Sequence, residues 1–136
     1  TSLLILPTSL IYNWQNEARK FAPDLQIYIH AGNNRLKDPE LLFSFDLVIT
    51  TYGITRIDEE FLSQFYFNYI ILDESQNIKN PTSKSFKAIK GLKSQNKLAL
   101  SGTPVENSVS DLWTQMHFTN PGLLGSYTYF QKEFVQ

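Results

Sequence analysis

The stretch Tyr69-Ile70-Ile71-Leu72-Asp73-Glu74-Ser75-Gln76 runs four apolar or aromatic side chains straight into two adjacent carboxylates. No polar residue alternates among the first four, and such an unbroken run suits a strand covered on both faces, as in a parallel sheet. Asp73 and Glu74 then stand at the strand's carboxyl end, where open α/β sheets bind their ligands. Two acids there can divide labour, one holding a hydrated magnesium ion and the other orienting and deprotonating an attacking water. An Asp-Glu pair after a strand also suits the start of a helix, whose amino end favours negative charge. The rest of the chain has to decide between these readings.

Strand and helix signals alternate along the whole length. Leu3-Leu4-Ile5-Leu6 reads as a short buried strand stopped by Pro7, with Thr8 and Ser9 placed to cap a helix over 11–21. On that helix Leu10, Trp14, Ala18 and Phe21 share a face, which makes Trp14 a core residue rather than a base-stacking platform. Residues 25–29 return as a strand near a sheet edge. The segment 30–35, His-Ala-Gly-Asn-Asn-Arg, reads as an exposed loop, with His30 lacking any partner of metal-ligand type. Asp38-Pro39 opens a short helix through Phe43, and residues 46–52 form a further buried strand that Gly53 breaks. Thr55 is placed to cap the next helix. After the acidic strand come a turn at 78–81, a helix capped by Thr82 or Ser83 and running to about Lys90, and a strand over 97–100. Helices over 110–117 and 127–135 complete the pattern, the first turning Leu112, Trp113 and Met116 toward a core. Alternating strands and helices argue an α/β fold, a parallel sheet with right-handed crossovers and helices on both faces.

Composition bounds the partners. The 136 residues suffice for one domain with a core, and a net charge of −1 confines any nucleic-acid binding to local features. Without cysteine, disulfides and thiolate metal sites are excluded. No apolar run reaches the roughly 18 residues of a membrane span and the start is no signal peptide, so the expectation is an intracellular protein. The first residue is Thr1 and the last apolar pattern runs to Gln136, which gives both ends the look of cuts in a longer protein.

Three other strands end in small hydroxyl residues: Pro7-Thr8-Ser9, Thr50-Thr51-Tyr52 and Ser101-Gly102-Thr103-Pro104. A parallel sheet gathers these ends on the rim that carries Asp73 and Glu74. Hydroxyls and backbone N–H groups at helix starts bind phosphate oxygens without reading sequence.

With these residues in order, the chain resembles the first motor lobe of Swi/Snf-type ATPases, a branch of the superfamily-two helicase-like enzymes. The matching blocks are LILPTSLIYNWQNE from Leu3, DLVITTYG from Asp46, YIILDESQNIKNP from Tyr69, LALSGTPVEN from Leu98, and LW followed by NPGLLGSYTYF. The resemblance implies a partial RecA-like (P-loop NTPase) lobe over residues 1–136 of a motor that uses ATP and Mg2+ and moves on double-stranded DNA. In such enzymes Asp73 would bind the Mg2+ of Mg-ATP through water and Glu74 would polarise the attacking water. Gln76 would couple the nucleotide to a second RecA-like lobe. Ser101, Gly102 and Thr103 would link the acidic motif to its neighbours, and Pro7, Thr8, Ser9, Thr50, Thr51 and Tyr52 would touch one DNA strand. Lys79 and Asn80 belong to a block characteristic of this branch, with no chemistry assigned.

The departures carry expectations of their own. These residues contain no GxxxxGK[ST] loop, so the phosphate-loop strand is missing, and the 136 residues alone should bind ATP weakly and hydrolyse none detectably. Residues 98–100 would then form a raw sheet edge, covered by a rearranged terminus or paired with another copy. Two rival readings remain: a non-catalytic DNA- or protein-binding module on the same fold, and a metal-dependent phosphotransfer or small-ligand domain using Asp73. The second leaves four of the five blocks unexplained.

Overall fold

The computed structural model describes residues 1–78, 82–102 and 109–134. Five strands, β1 (Ser2–Leu6), β2 (Ile27–His30), β3 (Leu47–Thr51), β4 (Tyr66–Asp73) and β5 (Lys93–Leu100), form one sheet in the order β2-β3-β1-β4-β5. Every pairing is parallel. Between them run α1 (Ile11–Phe21), α2 (Pro39–Leu42), α3 (Tyr52–Ile57), α4 (Glu59–Leu62) and α5 (Lys84–Lys90), with α6 (Val109–Thr119) and α7 (Tyr127–Phe134) after β5.

The central position of β1 explains its composition. Leu3 and Ile5 enter one core while Leu4 and Leu6 enter the other, and all four are fully buried. Alternate side chains point to opposite faces, so a strand covered on both sides reads as an unbroken apolar run. Likewise Ile70 and Leu72 of β4 face the larger core and Ile71 the smaller. The larger core is closed by Leu42, Tyr52, Leu62, Phe86, Ile89, Trp113, Phe118 and Phe130 from α2 to α7. The smaller is covered by α1 through Ile11 and Trp14, joined by Leu10 just before the helix. Helices therefore lie on both faces, as expected.

Several local expectations are corrected. The first concerns Thr8 and Ser9: residues 8–10 form a 3-10 turn, and neither side chain caps α1. Phe21 is 73% exposed although it shares the stripe of Trp14. Second, Thr51 rather than Thr55 caps α3, its Oγ1 accepting from the Ile54 N–H at 3.1 Å. Tyr52 and Gly53 already belong to that helix, and Thr55 is buried with its hydroxyl donating to the Thr51 carbonyl.

The third correction concerns His30, which closes β2, fully buried, instead of opening a loop. The fourth is the length of β5, which begins four residues earlier than the apolar signal, at Lys93. Ser94, Gln95 and Asn96 are exposed or partly exposed, and an edge strand tolerates such polar residues. Beyond β5 no further strand is paired among the described residues, and Leu98 is 43% exposed. The expected cover from a rearranged terminus is not seen among them.

Candidate functional site

Parallel pairing puts the carboxyl ends of all five strands on one rim, and register fixes their neighbours. Leu72 aligns with Ala99 and Asp73 with Leu100, so Ser101 leaves the sheet beside Glu74; Leu6 aligns with Thr51 on the other side. Asp73 and Glu74, partly exposed, occupy this rim at the end of β4, between the ends of β1 and β5.

Glu74 is the described non-glycine residue with a left-handed backbone, φ +51°. That conformation costs about 1–2 kcal/mol for a residue with a Cβ, and it persists where neighbours over-determine it. Here the Glu74 N–H donates to Asp73 Oδ1 at 2.9 Å. Its carbonyl accepts from the Asn77 main-chain N–H at 3.0 Å and from Asn77 Nδ2 at 2.7 Å. Its carboxylate accepts from Gln76 Nε2, while Gln76 Oε1 accepts from the Ser101 hydroxyl at 2.6 Å. The chain Glu74–Gln76–Ser101 thus joins three residues singled out from the sequence. Thr103, and with it Lys79, Asn80 and Pro81, lies outside the described residues.

Two aromatic residues hold Asp73. The Tyr52 hydroxyl donates to the Asp73 carbonyl at 2.8 Å, and the Trp14 indole Nε1–H donates to Asp73 Oδ2 at 2.7 Å. Burial, and then the carboxylates of Asp73 and Glu74, push the Tyr52 phenol far above its usual range. It stays an O–H donor throughout the working pH range.

The hydroxyl rim divides in two. Thr8 and Ser9 are exposed and Pro7 is partly exposed. Thr50 is fully buried and donates to the His30 carbonyl at 2.8 Å, Thr51 caps α3, and Tyr52 is bound to Asp73. Their side chains shape the rim from inside. Ser75, directly after the acidic pair, is buried and donates to Gln115 Oε1 of α6 at 2.6 Å, a tie that nothing in the sequence signalled.

At the β2 end of the rim, His30 Nε2 faces Asp58 Oδ2 at 2.8 Å. An ionised carboxylate only accepts, so this nitrogen carries the proton, and the buried Nδ1 has no partner among the described residues. Arg35 clamps the same carboxylate from two nitrogens, Nε to Oδ2 at 2.6 Å and Nη2 to Oδ1 at 3.0 Å, and Nη1 donates to the Gly32 carbonyl. Burial holds His30 below its ordinary pKa despite the raising influence of Asp58. Burial pushes Asp58 up, but hydrogen bonds from Arg35 and His30 outweigh it and the carboxyl is lowered. The absence of a partner for His30 expected from the sequence is thereby corrected.

No group of three or more His, Asp or Glu gathers into a metal cage among the described residues. A magnesium ion held mainly by waters and phosphates needs only one or two carboxylates. Each Asp73 oxygen accepts one N–H and keeps a second lone pair, so the donor set fits an ion bound through water.

The SNF2-related domain matches residues 1–136. A putative ATP-dependent helicase/translocase of Bacillus subtilis, YwqA, is 46% identical over 98% of this chain. The TATA-binding protein-associated factor MOT1 of Saccharomyces cerevisiae is 39% identical over 99%. The chain spans 15% and 7% of those two proteins. Among solved structures, the Sulfolobus solfataricus SWI2/SNF2 ATPase core in complex with double-stranded DNA matches at a TM-score of 0.89 and 47% identity. That match covers 98% of this chain and 28% of the other. The parallel sheet is that of this RecA-like core, the rim residues fall in the blocks that suggested it, and the chain belongs to the SNF2-related family.

Proposed function

We propose that this chain supplies the acidic Mg-ATP motif and part of the DNA track of an ATP-driven motor that moves on double-stranded DNA. The observation that carries the reading is the acidic pair itself: Glu74 is held in a strained conformation by several hydrogen bonds, beside a carboxylate whose two oxygens are both oriented. Strain retained this way is a feature of working sites. Asp73 would hold a hydrated Mg2+ that offsets phosphate charge, and Glu74 would orient and deprotonate the attacking water. Gln76 and Ser101, bonded in series to Glu74, would pass the state of that site toward Gly102, Thr103 and a second RecA-like lobe. Exposed Thr8 and Ser9, with the turn after Pro7, are the groups placed to meet DNA phosphates. Thr50, Thr51 and Tyr52 would support that track from within, their backbone lining it.

The ATP cradle and the second lobe would come from flanking segments, and residues 1–136 alone would be inactive. The exposed outer edge of β5 would take the neighbouring strand, or another copy of this chain when that strand is missing. No helix among the described residues is long and apolar enough to cross a membrane, and the proposed setting is intracellular.

The test is ATP hydrolysis with and without duplex DNA by a chain extended on both sides to the span of its relatives, with Glu74→Gln as control. Turnover stimulated by DNA and abolished by Glu74→Gln supports the reading. A well-folded extended chain without turnover would leave the non-catalytic binding module in its place.

A further inference from the structure

Trp14 sits 59 residues before Asp73, on a different element, yet its indole N–H meets Asp73 Oδ2 at 2.7 Å. Trp14 packs against the cluster formed by Leu4, Leu6 and Ile49, which restricts the direction of that N–H. A partly exposed indole could satisfy its N–H with water; here it takes an ionised acceptor, the stronger and more directional bond. The second carboxylate oxygen is held by the Glu74 N–H, so rotation of the Asp73 side chain is blocked from both ends. Of these two holds, the backbone one comes with the turn. The indole one comes from α1, the helix that directly follows the exposed Thr8–Leu10 turn.

The geometry points to Trp14 as a positioning residue for Asp73, its indole N–H fixing the orientation in which the carboxylate meets a hydrated divalent cation. This inference rests on the reading of Asp73 given above. Groups that orient a metal-binding carboxylate without touching the metal typically matter 10–100-fold in metal affinity or activity. Replacement by Phe keeps a ring in the core and deletes only the donor.

Two measurements test it, and they separate the bond from the enzymology. In the 136-residue chain with 15N-labelled indoles, Asp73→Asn should shift the Trp14 N–H resonance strongly. Trp113, whose Nε1–H donates to the Gly125 carbonyl at 3.2 Å, is the internal reference and should stay in place. In the extended chain, Trp14→Phe should lower kcat about 10–100-fold and raise the Mg2+ concentration needed for half-maximal rate, with KM for ATP at saturating Mg2+ unchanged. The double variant Trp14→Phe/Asp73→Asn should be no slower than Asp73→Asn, as for residues acting through one group. A Trp14 resonance indifferent to Asp73→Asn overturns the proposal, as does full turnover in a folded Trp14→Phe protein or losses that multiply in the double variant. If Asp73→Asn keeps full activity while the resonance moves, the bond stands, but the role of Asp73 falls and the positioning role with it.

Discussion

The hydroxyl of Tyr52, 9% exposed, donates to the main-chain carbonyl of Asp73 at 2.8 Å, tying the start of α3 to the end of β4 across β1. A second, longer contact of 3.5 Å reaches the Glu74 carbonyl. The aromatic ring lies in the larger core, so only the hydroxyl is free to serve the acidic pair. Tyr52→Phe should cost about 1 kcal/mol in thermal or denaturant unfolding, the usual net worth of one such bond. In the extended chain it should slow turnover more than it weakens ATP binding, a split that steady-state kinetics would read. Unchanged kcat would show that the tie is structural only.

Glu74 offers a comparison between stability and chemistry. At φ +51° glycine is free of the Cβ conflict that alanine suffers. Glu74→Gly should therefore be more stable than Glu74→Ala by about 1 kcal/mol, the reverse of the order expected in a helix or strand. Both should abolish hydrolysis in the extended chain. Chemical denaturation of the two variants decides it, and a more stable Ala variant would mean that the backbone relaxes out of the left-handed region.

The His30–Asp58–Arg35 cluster predicts how stability depends on pH. His30 is lowered from 6.5 by burial, so below that value the unfolded chain takes up a proton that the folded chain resists. Asp58 is lowered from 3.8, so its contribution is present above that value and is lost as the folded carboxyl is protonated. Both effects weaken the fold in acid. The unfolding midpoint should begin to fall as pH drops below 6.5, and His30→Phe should flatten that first decline. The decline around the Asp58 range should remain, because Arg35 still clamps the carboxylate.

The outer edge of β5 predicts concentration-dependent association. Leu98 is exposed there, and among the described residues no strand pairs with that outer edge. Sedimentation of the 136-residue chain should show self-association at high concentration, reduced by Leu98→Lys, since an edge charge opposes strand pairing. A wild-type chain that stays monomeric throughout would remove the edge as a contact site.

Thr8 and Ser9 are the exposed hydroxyl residues of the rim among the described residues. Thr8→Glu should weaken duplex-DNA binding by the extended chain at every sequence alike, because a carboxylate there repels phosphate and no base is read. Thr50→Val should leave DNA affinity nearly unchanged and instead destabilise the protein, since its hydroxyl serves the His30 carbonyl. Fluorescence anisotropy and thermal unfolding together separate the two roles. Equal effects on DNA affinity would erase the distinction between exposed and buried hydroxyls.

The sequence by itself determined the layered architecture and the place of the acidic pair. Unbroken apolar runs such as Leu3–Leu6 and Ile70–Leu72 exist because both faces of a central parallel strand are covered, and burial is written directly in residue type, although Tyr69 at the start of the second run is 41% exposed. Asp73, Glu74 and Ser101 were legible as residues at strand ends, which the same pattern locates, whereas Gln76 was named only through the family resemblance. Tertiary structure alone decided the partners of polar atoms. Trp14 carried a correct core signal, yet the direction of its N–H toward Asp73 follows from how α1 crosses the sheet. His30 looked like a loop residue because its polarity was locally unexplained; Asp58, 28 residues away, and Arg35 explain it. The first half of β5 escaped notice because an edge strand need not be apolar. Periodicity reports how deeply a side chain is buried, whereas a hydrogen bond between distant elements depends on register, tilt and rotamer, which appear only when the chain has folded.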